Sequence, residues 1–199
     1  MKKGKDMRKS LQKAVLATVL ASVPVMAGGY SNTTDSLFAV EGGYSRLSAD
    51  TNQNGYSVQD AGMGHFGLKI GAQGKNYRLF LSGRYFLADE GNTVAAAGGE
   101  LQYKFNFSEP VDFFIGVNGG LAYVKVGASD DGLLPSVSTQ APYMGGDIGF
   151  NYHASKLIDL ELGVKYMHIS DTITQGTTTY DFNNMTSGYA SIIIKYQLD

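Results

Sequence analysis

The 199 residues contain no cysteine. This excludes disulfides, a thiolate metal site and a lipid-attachment cysteine behind a leader. Proline is scarce, at four residues, and no unbroken apolar run reaches the roughly 20 residues that a membrane-spanning helix needs. Any residence in a bilayer must therefore be carried by alternation along strands, which a windowed average conceals. Positive charge is also scarce beyond the start of the chain. Residues 1–27 hold six basic residues and one acid; without them ten Lys and Arg face seventeen Asp and Glu, a net charge of −7. That balance argues against nucleic acid as a partner, because nucleic acid calls for a basic face.

Glycine, tyrosine and phenylalanine are plentiful, at 26, 13 and 10 residues. Aromatic side chains favour strands and glycine favours tight turns, so the composition points to an all-β chain. The start has a different character. Lys2, Lys3, Lys5, Arg8, Lys9 and Lys13 precede an apolar stretch, 14–21, and then Val25, Met26 and Ala27 lead to Gly28. A basic region, a short apolar region and a small-residue cleavage site make a secretory signal peptide, with cleavage expected after Ala27. Met7 offers a second start codon. An uncleaved anchor is disfavoured because the apolar region is short. The expected organisation is a signal peptide over 1–27, a periplasmic stub over 28–36 and one β-domain over 37–199.

The closing segment, 187–198, shows the alternation best. Ala190, Ile192, Ile194, Tyr196 and Leu198 share one face, and Tyr189, Ser191, Lys195 and Gln197 share the other, with Ile193 as the exception. The stretch 97–107 reads equally well, with Leu101, Tyr103, Phe105 and Phe107 against Glu100, Gln102, Lys104 and Asn106. Eight such segments are predicted: 37–46, 62–72, 77–87, 97–107, 111–126, 143–152, 157–169 and 187–198. Tight turns at 73–76, 108–110 and 153–156 alternate with longer polar connections at 47–61, 88–96, 127–142 and 170–186. An even strand count with short turns at one end and long loops at the other describes an eight-stranded antiparallel up-and-down transmembrane β-barrel. A soluble barrel would reverse the faces, apolar inside and polar outside. Here the charges share a face with glycines and small polar residues, which suits a narrow filled interior.

On this phase Glu41, Lys69, Arg78, Arg84, Glu100, Lys104, Asp112, Asp147, Asp159, Glu161, Lys165 and Lys195 point inward. Six are acids and six are bases, so they are expected to pair into an ionic plug, because an unpaired charge in a narrow lumen is costly. A solute pore lined by charged rings is the alternative; eight strands leave little bore for it. Tyr44, Tyr85, Tyr123 and Tyr166 approach the outer end of their strands, and Tyr77, Phe107, Phe113, Tyr152 and Tyr196 the periplasmic end. They are expected to form two aromatic girdles at the headgroup level. The long connections carry acids, among them Asp130-Asp131-Gly132, which lacks the spaced acceptors of a calcium loop. No cofactor or metal site is predicted.

The closing segment resembles the C-terminal sorting signal of bacterial outer-membrane barrels, with Leu198 where phenylalanine is usual and Asp199 after it. The strand pattern from about Ser36 to Leu198 resembles the eight-stranded OmpA-type, OmpX-type and opacity-type barrel superfamily. That resemblance implies the outer membrane as location and a structural, membrane-stabilising or surface-contact role. It implies membrane lipid and lipopolysaccharide as partners, recognition of the last strand by the barrel-assembly machinery, and an adhesion-like extracellular ligand at the loops. A local feature is similar to the His-x-Ser-Asn motif of lipid A 3-O-deacylases: His168-Ile169-Ser170-Asp171. It implies His168 as base and Ser170 as nucleophile on an acyl ester, with Asp171 departing from the usual asparagine and Asp181 as a substitute acid only if its loop folds back. Residues two apart on a strand share a face, here the lipid-facing one.

Overall fold

A computed structural model describes residues 35–51, 61–87, 93–126, 137–175 and 178–197. The expected signal peptide, most of the expected stub, the loop acids at 88–92 and 127–136, and the terminal Leu198 and Asp199 lie outside the described residues.

Eight strands follow in chain order: β1 (Asp35–Thr51), β2 (Ala61–Gln73), β3 (Tyr77–Leu87), β4 (Thr93–Ser108), β5 (Val111–Val126), β6 (Val137–His153), β7 (Ile158–Gln175) and β8 (Thr178–Tyr196). Each pairs antiparallel with its neighbour in sequence, and β1 also pairs with β8, which closes the sheet into a barrel. At the seam Phe38 stands opposite Ile70 on one side and Ile194 on the other. Closure leaves no sheet edge, so every strand finds partners for its backbone groups on both sides.

The alternation sorts the side chains as the pleat requires. Along β3, Arg78, Phe80, Ser82, Arg84 and Phe86 are buried, whereas Tyr77, Tyr85 and Leu87 are exposed. The outer wall is apolar: Val40, Leu68, Ile70, Ile115, Leu162, Val164 and Ile192 all lie exposed on it. The charged face is therefore the inner one, and the reversed faces of a soluble barrel do not apply. The turns at 74–76, 109–110 and 154–157 sit at one end, together with the start of β1 and the end of β8. Inward glycines leave room for large neighbours. At Gly163 an added Cβ would lie 2.8 Å from the Tyr189 ring, and at Gly116 it would lie 2.7 Å from the Asp147 carboxylate.

The strand bounds differ from the expectation mainly at the long-loop end, and at the start of β1. β3 and β5 run as predicted, but β1 starts at Asp35, two residues inside the expected stub, and continues to Thr51. Much of the expected loop 170–186 is paired hairpin, with Thr172 opposite Asp181 and Gln175 opposite Thr178. Above the apolar band both faces meet water, so a strand there has no reason to alternate and its signal disappears. Two irregularities mark the change, one between Ser48 and Ala49 and one between His168 and Asp171. Such bulges add twist where a strand leaves its regular surroundings.

A charge placed in the middle of the outer wall tests this arrangement. Leu162→Arg is expected to lower folding stability in lipid vesicles by about 2–4 kcal/mol, and Tyr196→Arg near the rim by about 0–1 kcal/mol. Denaturant titrations in the same vesicles would measure both, and equal costs would mean that the wall does not face hydrocarbon.

Candidate functional site: a charged interior and its outer rim

The inward phase of eight neighbouring strands projects its side chains into one narrow space. The centre of that space holds Glu41, Lys69, Arg84, Glu100, Glu161 and Lys165, all buried. Glu41 accepts from Arg84 Nε at 2.6 Å and lies 2.6 Å from Lys69 Nζ and 3.5 Å from Lys165 Nζ. Glu100 pairs with Arg84, and it lies 3.1 Å from Lys165 and 3.7 Å from Lys69. Glu161 accepts from Lys69 at 3.2 Å and from Arg78 at 2.9 Å. Each carboxylate meets at least two cations. Sharing of this kind offsets the desolvation that a single buried pair would leave uncompensated. The Tyr189 ring stands 4.7 Å from both Lys69 Nζ and Lys165 Nζ and so adds a π-face between two cations.

A second group occupies the short-turn end. Asp159 is bonded by Lys195 at 2.7 Å and His153 Nδ1 at 2.8 Å, with Arg78 at 3.4 Å linking it to the centre. His153 Nε2 lies 3.1 Å from Asp112, and Lys104 lies 3.8 Å from the same carboxylate. A cavity of about 380 Å³ opens here, lined by Lys75, Lys104, Asp112 and His153 among others. Asp147 stands apart from both groups. Gln102 donates to it at 2.8 Å and the Tyr189 hydroxyl at 3.5 Å.

Towards the long-loop end the interior changes character. Ser45 bonds to His65 Nδ1 at 2.8 Å and to Ser187 at 2.7 Å. Beyond these lies an apolar layer that includes Leu47, Met63, Phe86, Val94, Val124, Met167, Ile169 and Met185. The interior is thus a charged lower and middle part, with a small apolar group of Leu37, Ala39, Phe80 and Ile193 beside it, beneath an apolar cap. His153 was read as a turn residue, and its signal was its place in the inward phase two residues beyond Asn151. His65 and Tyr189 stand in the inward phase of their strands, and that phase was the signal for both.

On the outside, Tyr44, Tyr85, Tyr123 and Tyr166 are exposed towards the long-loop end. Tyr77, Phe107, Tyr152 and Tyr196 are exposed towards the other end, and Phe113 is half-buried there. Two of the lower set, Tyr77 and Phe113, belong to a belt of ring contacts running Tyr77–Tyr103–Phe105–Phe113–Phe150, with centroids 4.6–5.9 Å apart. Tyr103, Phe105 and Phe150 were not assigned to it from the sequence.

His168 is exposed on the outer wall, and its Nδ1 donates to Asn184 Oδ1 at 2.9 Å, which also accepts from the Tyr166 hydroxyl at 2.6 Å. The bulge between His168 and Asp171 interrupts the alternation on which a shared face for His168 and Ser170 depends. The side chains of Ser170, Asp171 and Asp181 lie outside the described residues. His168 is therefore brought together with Tyr166 and Asn184, and Asn184 was hidden in the expected loop.

No protein-family model matches the chain, and no curated protein sequence does. Solved structures do. The crystal structure of Neisserial surface protein A superposes with a TM-score of 0.62 at 16% identity, covering 80% of this chain and 97% of that one. The fold is that of an eight-stranded outer-membrane barrel. The outer membrane protein OprG from Pseudomonas aeruginosa matches with a TM-score of 0.56 at 12% identity, over 85% of this chain and all of that one. The N-terminal β-barrel domain of OprF from the same organism matches with a TM-score of 0.54 at 12% identity, over 81% and 97%. At these identities the likeness concerns the fold.

The central network predicts a specific pattern of mutant stabilities. Glu41→Gln leaves Lys69, Arg84 and Lys165 facing each other and is expected to cost about 3–5 kcal/mol in vesicle refolding titrations. Replacing Arg84 and Glu100 together by Met and Leu is expected to cost less than replacing either alone. Additive losses would mean that the two do not act as a pair.

Proposed function

We propose that the protein is a small barrel of the bacterial outer membrane whose role is structural, membrane-stabilising or surface contact, and whose lumen is closed. The observation that carries this reading is the interior itself. Buried charges bind one another in the lower and middle lumen, and apolar side chains fill the space above them. A conducting pore needs a wetted path, usually with an excess of one sign of charge. Here the inward acids and bases are equal in number, and all of them but Asp147, which accepts from Gln102 and Tyr189, engage an opposite charge. The partners that follow are membrane lipid and lipopolysaccharide around the wall, an extracellular ligand at the long-loop end and the assembly machinery at β8. The short turns face the periplasm, as in outer-membrane barrels generally.

Purified protein reconstituted into planar bilayers tests the closed lumen. Silence in well-inserted protein is expected, and discrete conductance steps would favour the solute pore. The esterase reading of His168 and Ser170 makes its own demand. Lipid A from membranes expressing the protein is expected to have the same mass spectrum as lipid A from membranes expressing Ser170→Ala. Loss of one hydroxyacyl chain with the unmutated protein alone would establish a lipid A esterase.

A further inference from the structure

We propose that the short-turn rim of the barrel carries a pocket for a linked phosphate and ammonium, the headgroup of a phosphatidylethanolamine of the inner leaflet, built from Lys75, Lys104, Ser108 and Glu109. The proposal rests on the membrane-barrel reading given above, in which this end faces the periplasm.

The pocket forms where neighbouring pieces of chain meet at the rim. The β2–β3 turn supplies Lys75, and Lys104 stands beside that turn because its backbone N–H donates to Asn76 O at 2.7 Å. The end of β4 supplies Asn106, Phe107 and Ser108, and β5 and β6 supply Asp112 and His153. A bulge shapes this end of β4. Asn106 pairs with Asp112 and Ser108 with Val111, so Phe107 has no residue opposite it and stands 82% exposed. The cavity of about 380 Å³ thus opens between the charged floor of the lumen and the aromatic girdle. Its size falls at the lower end of the range for small-molecule sites.

The charges on its wall decide what it takes. Lys104 is buried but loosely held, 3.4 Å from Gln73 Oε1 and 3.8 Å from Asp112. Every other inward cation has an acid at 3.1 Å or less. Asp112 cannot fully compensate Lys104, because His153 Nε2 lies 3.1 Å from the same carboxylate oxygen. Lys75 is exposed and pairs with no acid among the described residues, and Glu109 pairs with no base among them. A poorly satisfied ammonium in a partly desolvated wall attracts an anion. Two ammonium groups, with the Ser108 hydroxyl and the Asn106 amide beside them, fit a phosphate, whose oxygens accept from all four. Glu109 on the same wall fits a cation joined to that phosphate. Phe105 and Phe107, both exposed, continue from the pocket onto the outer wall, where acyl chains lie. Phosphate, ammonium and acyl chains together describe phosphatidylethanolamine. Phosphatidylglycerol supplies the phosphate and no ammonium, and a soluble phosphate has no chains for the exposed rings.

The test uses the full-length barrel in nanodiscs of equal parts phosphatidylethanolamine and phosphatidylglycerol, with native mass spectrometry reading the lipid retained on the protein. Insertion is checked by the gel mobility of unheated samples. The unmutated protein is expected to retain phosphatidylethanolamine over phosphatidylglycerol by about fivefold or more. Lys75→Gln is expected to lower retention of both lipids about tenfold. Glu109→Gln is expected to remove the preference between them. Lys156→Gln, in the β6–β7 turn of the same rim, is expected to change nothing. Retention unaffected by Lys75→Gln in properly inserted protein would overturn the pocket and leave the barrel reading standing. An equal loss in Lys156→Gln would also overturn it, since it would show general charge attraction. Glycerophosphoethanolamine, the same headgroup without acyl chains, is expected to displace the lipid only in large excess. Displacement at equal concentration would assign the pocket to a soluble ligand and overturn the lipid. Failure of the unmutated protein to insert would instead overturn the barrel reading, and the pocket with it.

Discussion

Hydrocarbon supplies no hydrogen-bond partner, and the rest of this structure follows from that. A strand placed there must pair along both edges, so the sheet must close, and here it closes where β1 meets β8. Closure at eight strands makes the interior too narrow for bulk water and just wide enough for side chains. Every second residue of every strand is then committed to that interior. The charges it carries must find one another or a neutral donor, as Asp147 does with Gln102 and Tyr189, because nothing else is available to solvate them.

The interior solves this by sharing. Glu41 is reached by Arg84, Lys69 and Lys165, and Glu100 by the same three cations, so no single ion pair carries the burden. Glycines at inward positions leave space for the long side chains opposite them, as at Gly163 under Tyr189 and Gly116 beside Asp147. The apolar cap at the other end has a different basis. There the residues bury one another and ask for no partner, so the barrel is closed at two levels by two kinds of interaction. With the lumen filled, chemistry and recognition are left to the outer wall, the rims and the loops.

The phase of each strand was legible in the sequence wherever lipid lies on one side. In 77–87 and 111–126 both strands occupy the predicted spans, although Phe80, Phe86 and Phe114 place apolar residues in the inward phase. It became illegible where water lies on both sides, as in the β7–β8 hairpin, whose pairs such as Thr172 with Asp181 leave no period-two trace. Asn184 was lost for this reason, and with it the Tyr166–Asn184–His168 cluster. A shared face for His168 and Ser170 requires an unbroken strand, and a bulge falls between His168 and Asp171. A bulge costs one residue of register and has no reliable signature in a polar segment.

Alternation, strand count and turn lengths fixed the architecture of this chain, because a closed membrane barrel imposes a period of two on every strand that crosses hydrocarbon. They also fixed which residues face inward. They left open which inward residue meets which. Lys69 and Glu161 are far apart in the chain and not on adjacent strands, yet they bond at 3.2 Å across the lumen. Register, tilt and the curvature of the closed sheet decide such meetings, and these are properties of all eight strands together. Tertiary structure likewise gathered the charges in the lower and middle interior and most of the inward apolar residues above them, since that depends on the height of each residue in the barrel.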